Sequence, residues 1–445
     1  MTVLVLVVAL VLPVVASAFS YDPATLQSGT VKQPANGTTV ISVQGFKIAG
    51  EDSGKKPARL VGVGPNGELK WEYNGSKNGI VWFYDVDPLD NGTLLITGTK
   101  PGQTVVSIWN PKTRETEWSR TFDWEDTHDV DLVNGDQLLV ANMRNYDGMT
   151  EKNNDRLLLY DISDSEVVWE WKFRNHGFNR SGGGDYTDDW THVNDVDKVG
   201  SGQYIASPRN FDQVIRVNRT SKSVTMQVGS DENHSVMYEQ HNPQFLRGEN
   251  GTPTMLVADS ENDRIVEYAK VDGDWRRTWT LRGEFNWPRD ADRLPNGNTL
   301  VTDTLNHRVM EVTPEGEVVW EFYAPWGTYD AERVRWGDEA GGPTIREQNA
   351  TGAVTLSGSE KLMGERQTFS QWVAQSFAGT PISEEAAWFA ARWSHITPWM
   401  RPVWMSSWGL VRSLLAGLLT IGWLVGELTL RRNRVRRKAG QILNQ

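Results

Sequence analysis

A short alternating run that ends in tryptophan recurs through the middle of this chain. Its copies are Glu68-Leu69-Lys70-Trp71, Glu115-Thr116-Glu117-Trp118, Glu166-Val167-Val168-Trp169, Arg276-Arg277-Thr278-Trp279 and Glu317-Val318-Val319-Trp320. A further copy, Ser223-Val224-Thr225-Met226, carries methionine in that place. Successive copies are 41 to 57 residues apart, the range of a four-stranded propeller blade rather than of a helical repeat. A second register keeps the same period. Asp85-Val86-Asp87, Asp129-Val130-Asp131, Asp195-Val196-Asp197 and Asp290-Ala291-Asp292 each lead into a polar turn such as Asp90-Asn91-Gly92, and apolar runs such as Leu94-Leu95-Ile96 follow. This is the pattern of inner strand, hairpin and second strand. With Thr39 to Gly45 taken as a divergent first start, six starts match six ends. The sequence therefore predicts an all-β fold, a six-bladed β-propeller over residues 38–325, with the tryptophans filling the gaps between blades.

The ends are of another kind. Val3 to Phe19 is almost wholly apolar and reaches Ala16-Ser17-Ala18, so residues 1–20 read as a signal peptide or an N-terminal membrane anchor. Residues 326–400 read as a linker rich in glycine and charge, followed by amphipathic membrane-proximal helices. Val403 to Leu430 is largely apolar, with Arg412 and Glu427 its only charges, and is long enough to cross a ~30 Å hydrocarbon layer. Trp388, Trp393, Trp399, Trp404 and Trp408 suit its interfacial belt. The basic tail 431–445 then marks the cytoplasmic side, which puts the propeller outside the cell. Eight Asn-X-Ser/Thr acceptors, at Asn36, Asn74, Asn91, Asn179, Asn218, Asn233, Asn250 and Asn349, suit a glycosylated extracellular body.

Composition narrows the chemistry. Net charge is −12, and six positive charges between Arg431 and Lys438 lie in the tail, leaving −18 on the remainder. Such a body repels nucleic acid. The absence of cysteine excludes disulfides, thiolate metal sites and a cysteine nucleophile. Ser181-Gly182-Gly183-Gly184-Asp185 lacks the Lys-Ser/Thr ending of a nucleotide-phosphate loop, and no run has EF-hand spacing. Neither a nucleotide, nor a metal, nor any other cofactor is expected; backbone N–H groups of neighbouring turns are expected to satisfy the paired aspartates, with a cation in the central channel as the alternative.

Three of the seven histidines fall at blade starts. His128 and His241 align directly, and His192 sits two residues ahead of Asn194, which fills that register in its own blade. Two residues along a strand means the same face, so all three imidazoles are expected at the channel mouth. Arg209, one hairpin after His192, returns to a similar height, and Arg289 occupies the same register as His241. His176, His234, His307 and His395 lack that placement. Imidazoles together with guanidinium groups suit binding or transfer of a tetrahedral oxyanion, with a neutral histidine able to act as nucleophile. An unperturbed histidine nucleophile predicts a rate that falls below about pH 6.5.

Thr191-His192-Val193-Asn194 with Ser207-Pro208-Arg209, then Glu239-Gln240-His241-Asn242 before Leu256-Val257-Ala258-Asp259, resembles the arylsulfate sulfotransferases, as does Thr127-His128-Asp129-Val130. The resemblance spans about residues 38 to 325. It implies sulfuryl transfer from an aryl sulfate ester to a phenol without a nucleotide donor. His241 would be the transiently sulfonated nucleophile, His128 would assist proton transfer or stabilise the phenolate, and His192 and Arg209 would bind sulfonate oxygens, with Arg289 and Asn194 as further substrate contacts. Known members are soluble periplasmic proteins with an N-terminal β-domain, whereas this chain carries a C-terminal anchor pattern. A second resemblance is to NHL propellers, in Asp259-Ser260-Glu261-Asn262-Asp263-Arg264 and Asp303-Thr304-Leu305-Asn306-His307-Arg308, and it implies a non-catalytic binding or scaffold domain.

Overall fold

A computed structural model describes residues 2–45, 56–248, 251–359 and 367–442, with side chains described up to Arg432 in the last stretch. The chain divides into two compact units, Thr25–Leu362 and the paired ends Met1–Ala24 with Met363–Gln445.

The larger unit is the six-bladed propeller. Blade 2 is built from Trp82–Pro88, Leu94–Lys100, Gln103–Asn110 and Glu115–Phe122. Blade 3 has Val130–Val133, Gln137–Asn142, Arg156–Asp161 and Glu166–Lys172; blade 4 has Val193–Gly200, Gln203–Pro208, Gln213–Asn218 and Val224–Gly229. Blade 5 follows with His241–Arg247, Pro253–Asp259, Arg264–Val271 and Asp274–Arg282, and blade 6 with Pro288–Arg293, Thr299–Asp303, Arg308–Val312 and Val318–Tyr323. All are antiparallel meanders, as short alternating runs joined by tight turns require.

Blade 1 closes the ring in a way the repeat count missed. Thr39–Val43 is its second strand, paired with Arg59–Val63, and its inner strand is Thr328–Arg333 from the far end of the unit. Two further strands lie outside the expected 38–325 limits. Gln27–Val31 adds an edge to blade 6, and Gly352–Thr355 runs parallel to the outer strand of blade 5. Much of the segment read as a linker is therefore propeller. The reason is burial: all six residues of Thr328–Arg333 are buried, and an inner strand, walled in on both sides, keeps its place even when polar.

Tryptophans stitch neighbouring blades together. The Trp169 indole N–H donates to Arg219 O (3.0 Å), that of Trp279 to Pro314 O (3.0 Å) and that of Trp320 to Pro65 O (3.1 Å), in each case a turn of the next blade. Buried Arg293 and Arg333 reach back from one inner strand to the preceding blade, pairing with Glu267 (3.1 Å) and Glu311 (2.6 Å) while lying over the rings of Trp279 and Trp320. Each guanidinium is thus paired as well as stacked, which a buried charge needs. The NHL-like runs also prove to be local clasps. Asp259 accepts from Arg264 and Asn262, and Asp303 from Arg308 and Asn306, while the same carboxylates accept Tyr238 N–H and Asn286 N–H from the incoming loops.

In the smaller unit, Thr2–Phe19, Phe369–Phe377, Ser383–Met400 and Ser407–Ile442 are helices. Thr368 and Gln371 form a capping box on the second, and the first and last pack together. Thr2–Phe19 and Ser407–Arg432 are long and apolar enough to cross a membrane. The last helix starts later than Val403 and continues through the basic tail. Trp393 and Trp408 pack on Phe369, with ring centroids 5.1 and 5.3 Å away, and Trp388 stays exposed.

Trp320 is fully buried at the junction of blades 6 and 1. Trp320→Ala is expected to cost about 3–5 kcal/mol, read as a lower denaturant midpoint of the full chain in detergent. Trp118→Ala, at a less buried position, is expected to cost less.

Candidate active site

Several inner strands begin with a break in register, between Phe83 and Asp85, Val193 and Val196, His241 and Gln244, and Pro288 and Asp290. Bulges of this kind re-aim side chains at a strand end. Around them Asp126, Arg144, His192, Glu239, Asn242 and Trp287 hold positive φ between 36° and 60°, strained backbone for residues with a Cβ and concentrated at one place.

That place gathers the three histidines. The His128 ring lies 4.9 Å from His192, 5.5 Å from Tyr329 and 3.8 Å from Tyr84, and His241 lies 6.0 Å from Tyr329, all between ring centroids. The Arg289 guanidinium covers Trp287 (3.9 Å) and Tyr329 (4.9 Å) and donates to Gln44 Oε1. Arg209 returns to the height of His192, donating its backbone N–H to His192 O. Its Nη2 stands 3.6 Å from Glu239 and 3.9 Å from Asp189.

The tautomers follow from the partners. Ser260 Oγ donates to Pro288 O at 2.6 Å, so toward His241 Nδ1, 2.8 Å away, it accepts. Glu239 O, 3.1 Å away, is a second acceptor for Nδ1–H. His241 Nε2 therefore carries the lone pair, and it is buried with no partner. His192 is built alike. Nδ1–H donates to Asp189 Oδ1 at 2.8 Å and Nε2 has no partner. His128 is oriented less firmly, with Nδ1 unpartnered and Nε2 4.0 Å from Asp126.

Burial and positive neighbours keep these rings neutral. His241 is held well below the usual histidine range by burial, then by Arg289 and Arg209; His128 by burial, then by His192 and Arg289. His192 falls to about 4 through burial and Arg209, against the opposing pull of Asp189. The fall in rate expected near pH 6.5 consequently moves to lower pH, because that figure belongs to a solvated imidazole. Tyr329 and Tyr84 are pushed up by burial and stay protonated.

Asn194 is fully buried beside these groups. Its Nδ2 donates to Gln240 O at 2.9 Å, and the residue lines an acidic cavity on the axis together with His128, Asn242 and Tyr329. The remaining histidines sit elsewhere. His176 stacks on Trp171 and His234 on Tyr238, His307 Nδ1 accepts from Gly327 N–H in a turn, and His395 belongs to Ser383–Met400.

Tyr84, Tyr329, Asp189 and Ser260 are site residues that sequence reading missed. Tyr84 and Tyr329 had a signal: Tyr84-Asp85-Val86-Asp87 and Tyr329-Asp330-Ala331-Glu332-Arg333 repeat Arg289-Asp290-Ala291-Asp292-Arg293. Asp189 and Ser260 lie in or beside turns and had none.

The paired aspartates are satisfied by neighbouring backbone only in part. Asp330 accepts from Val86 N–H, Asp129 from Val196 N–H and Asp290 from Ala331 N–H. Asp85, Asp195, Asp197, Asp292 and Glu332 each retain a buried oxygen without a donor. Asp87, Asp131 and Asp338 bring carboxylate oxygens within 4.8 Å of one another. The expectation of no metal rested on linear spacing, which is blind to ligands drawn from separate blades.

The arylsulfotransferase (ASST) family model matches residues 32–246, a stretch that holds His128, His192, Arg209 and His241. The first four blades and the first strand of the fifth are thus similar to the arylsulfotransferase family domain, apart from the ring-closing strand. The match implies an enzyme of the sulfotransferase type, with small-molecule substrates. No curated protein matches the chain. Among solved structures, a Bacteroides caccae protein of unknown function is similar at 14% identity and TM-score 0.44, with 65% of this chain and 93% of that one covered. Catalytically inactive virginiamycin B lyase from Staphylococcus aureus, with quinupristin, is similar at 10% identity and TM-score 0.38, covering 67% and 88%.

In a pH titration followed by NMR of histidine-labelled protein, the His192 ring is expected to stay in its neutral form to about pH 5 and to titrate near 4. A midpoint near 6.5 would show that the site is hydrated and open.

Proposed function

We propose that this arylsulfotransferase-family propeller transfers a sulfuryl group from an aryl sulfate to a phenol through a sulfohistidine on His241. The observation that carries the reading is the fixed tautomer of His241, with Nδ1–H tied to Ser260 and Glu239 and Nε2 buried and unpartnered. In the first half-reaction Nε2 attacks sulfur, forming the N–S bond as the S–O bond to the aryl group breaks. In the second, the acceptor phenol gives its proton to His192 Nε2, its oxygen attacks sulfur, and the N–S bond breaks. Over one cycle the donor phenolate leaves with a proton equivalent to the one the acceptor loses, so no co-reactant is consumed.

The geometry favours His192 for proton transfer over the anion-binding role implied by resemblance. A neutral imidazole oriented by Asp189 presents a lone pair, not a donor, and the carboxylate stabilises the imidazolium once formed. Sulfonate oxygens are then met by Arg289, Arg209 and the Tyr329 hydroxyl, a buried donor without a protein partner. In this reading the apolar C-terminal helix anchors the chain, with the glycosylated propeller outside the cell and the basic tail cytoplasmic, and the first helix is a signal peptide or second anchor.

Purified full chain is incubated with 4-nitrophenyl sulfate and phenol. His241→Ala is expected to reduce nitrophenol release at least about 10³-fold and His176→Ala to leave it unchanged. Asp189→Asn is expected to lower kcat by roughly 10²–10⁴-fold with a small change in KM. Folded wild-type protein that binds aryl sulfates without releasing nitrophenol would instead make the propeller a binding domain.

A further inference from the structure

Below the histidines the axis is lined almost entirely by acid. Eleven carboxyl groups border one cavity of about 430 Å³, counted with its mouth, and its lining includes no lysine or arginine. Four inner strands each contribute a pair two residues apart, blade 2 contributes Asp85, and Asp338 and Glu339 come from the chain just after the ring-closing strand. In blade 5 the paired positions are taken by Asn242 and Gln244. Two residues of strand separate the two levels by about 6.6 Å.

The cluster alone would prove little, since carboxyl groups can share protons. A separate observation concerns donors. Asp197, Asp292 and Glu332 are at least nine-tenths buried, and each keeps an oxygen that no backbone N–H or hydroxyl group reaches, leaving only the neighbouring carboxyl groups. So does the neutral Asn194, fully buried on the same cavity. Its Nδ2 faces Gln240 O, which fixes the amide the right way round and leaves Oδ1 without a donor. An amide oxygen cannot be relieved by taking a proton, and it is a ligand for a hard cation.

We propose that the axial cavity holds a calcium site, centred on Asp131 and Asp338 of its lining together with Asp87 beside them. Oxygen ligands at 2.3–2.6 Å put opposite pairs about 4.6–5.2 Å apart around Ca²⁺, in keeping with the 4.8 Å that encloses this triad. Asp197 and Asp292 supply further oxygens at the same level. An all-protein cage of oxygens drawn from several blades suits calcium, whereas Mg²⁺ keeps most of its water and needs near-octahedral geometry. Without imidazole or thiolate in the triad, zinc is a poor match. A divalent ion would remove the mutual repulsion of carboxylates gathered at one place. The ion would also tie the segment after the closing strand to blades 2 and 3 across the axis.

The test uses full-length protein in detergent, stripped with EGTA and desalted. Calorimetric titration with CaCl₂ is expected to show saturable binding of at least one ion per chain. The melting temperature is expected to rise by roughly 3–4 °C at a hundredfold excess over Kd. Asp338→Asn, on a turn and checked for native circular dichroism, is expected to weaken binding about tenfold or more, whereas Asp136→Asn, on an exposed turn, leaves it unchanged. Absence of saturable uptake by wild type overturns the proposal, as does equal affinity for Mg²⁺ or unchanged binding in folded Asp338→Asn. Should Asp338→Asn not fold, the wild-type titrations still decide.

Discussion

The propeller depends on side-chain oxygens that reach from one inner strand to the backbone of the next. Asp330 binds Val86 N–H, Asp129 binds Val196 N–H, Gln244 binds Arg293 N–H and Asp290 binds Ala331 N–H. Inner strands splay from the axis, so their edge N–H groups have no neighbouring strand to pair with and would otherwise be buried unsatisfied. A short acid or amide of the inner strand solves this at four of the six blade junctions. The solution fixes the spacing of the strands about the axis, and with it the positions of the residues immediately before those acids.

Those preceding positions are where the chemistry lies. Tyr84, His128, His241, Arg289 and Tyr329 each stand immediately before the first acid or amide of an inner-strand pair, so the repeat delivers a different side chain from each of these blades to one point. Burial then acts on all of them together. It lowers the histidines, raises the tyrosines and makes every partner consequential. Ser260 and Asp189, which choose the tautomers, need be no nearer to substrate than the far edge of a ring.

The six blades were legible because Trp71, Trp118, Trp169, Trp279 and Trp320 mark strand ends at a regular interval, and periodicity survives weak local propensity. The three histidines were legible by register. The closing strand was not, because Thr328-Tyr329-Asp330-Ala331-Glu332-Arg333 has two apolar-leaning residues among acids and follows the last tryptophan repeat, where composition turns glycine-rich and charged. Its likeness to Pro288–Arg293 was the available signal. Asp189 escaped for another reason: its contact with His192 depends on the positive φ of that residue, a property of the folded loop rather than of spacing.

Ring closure by Thr328–Arg333 has a consequence for how the molecule is made. A chain emerging N-terminus first can form blades 2 to 5 as they appear, each from consecutive strands. Blade 1 waits with three strands and an uncovered inner edge until residue 333 is free, almost three hundred residues after its own second strand began at Thr39. Such an edge invites pairing with another chain. The nascent protein is thus most exposed to misassembly late in synthesis, and what protects it is speed between the arrival of blade 6 and the seating of the last inner strand.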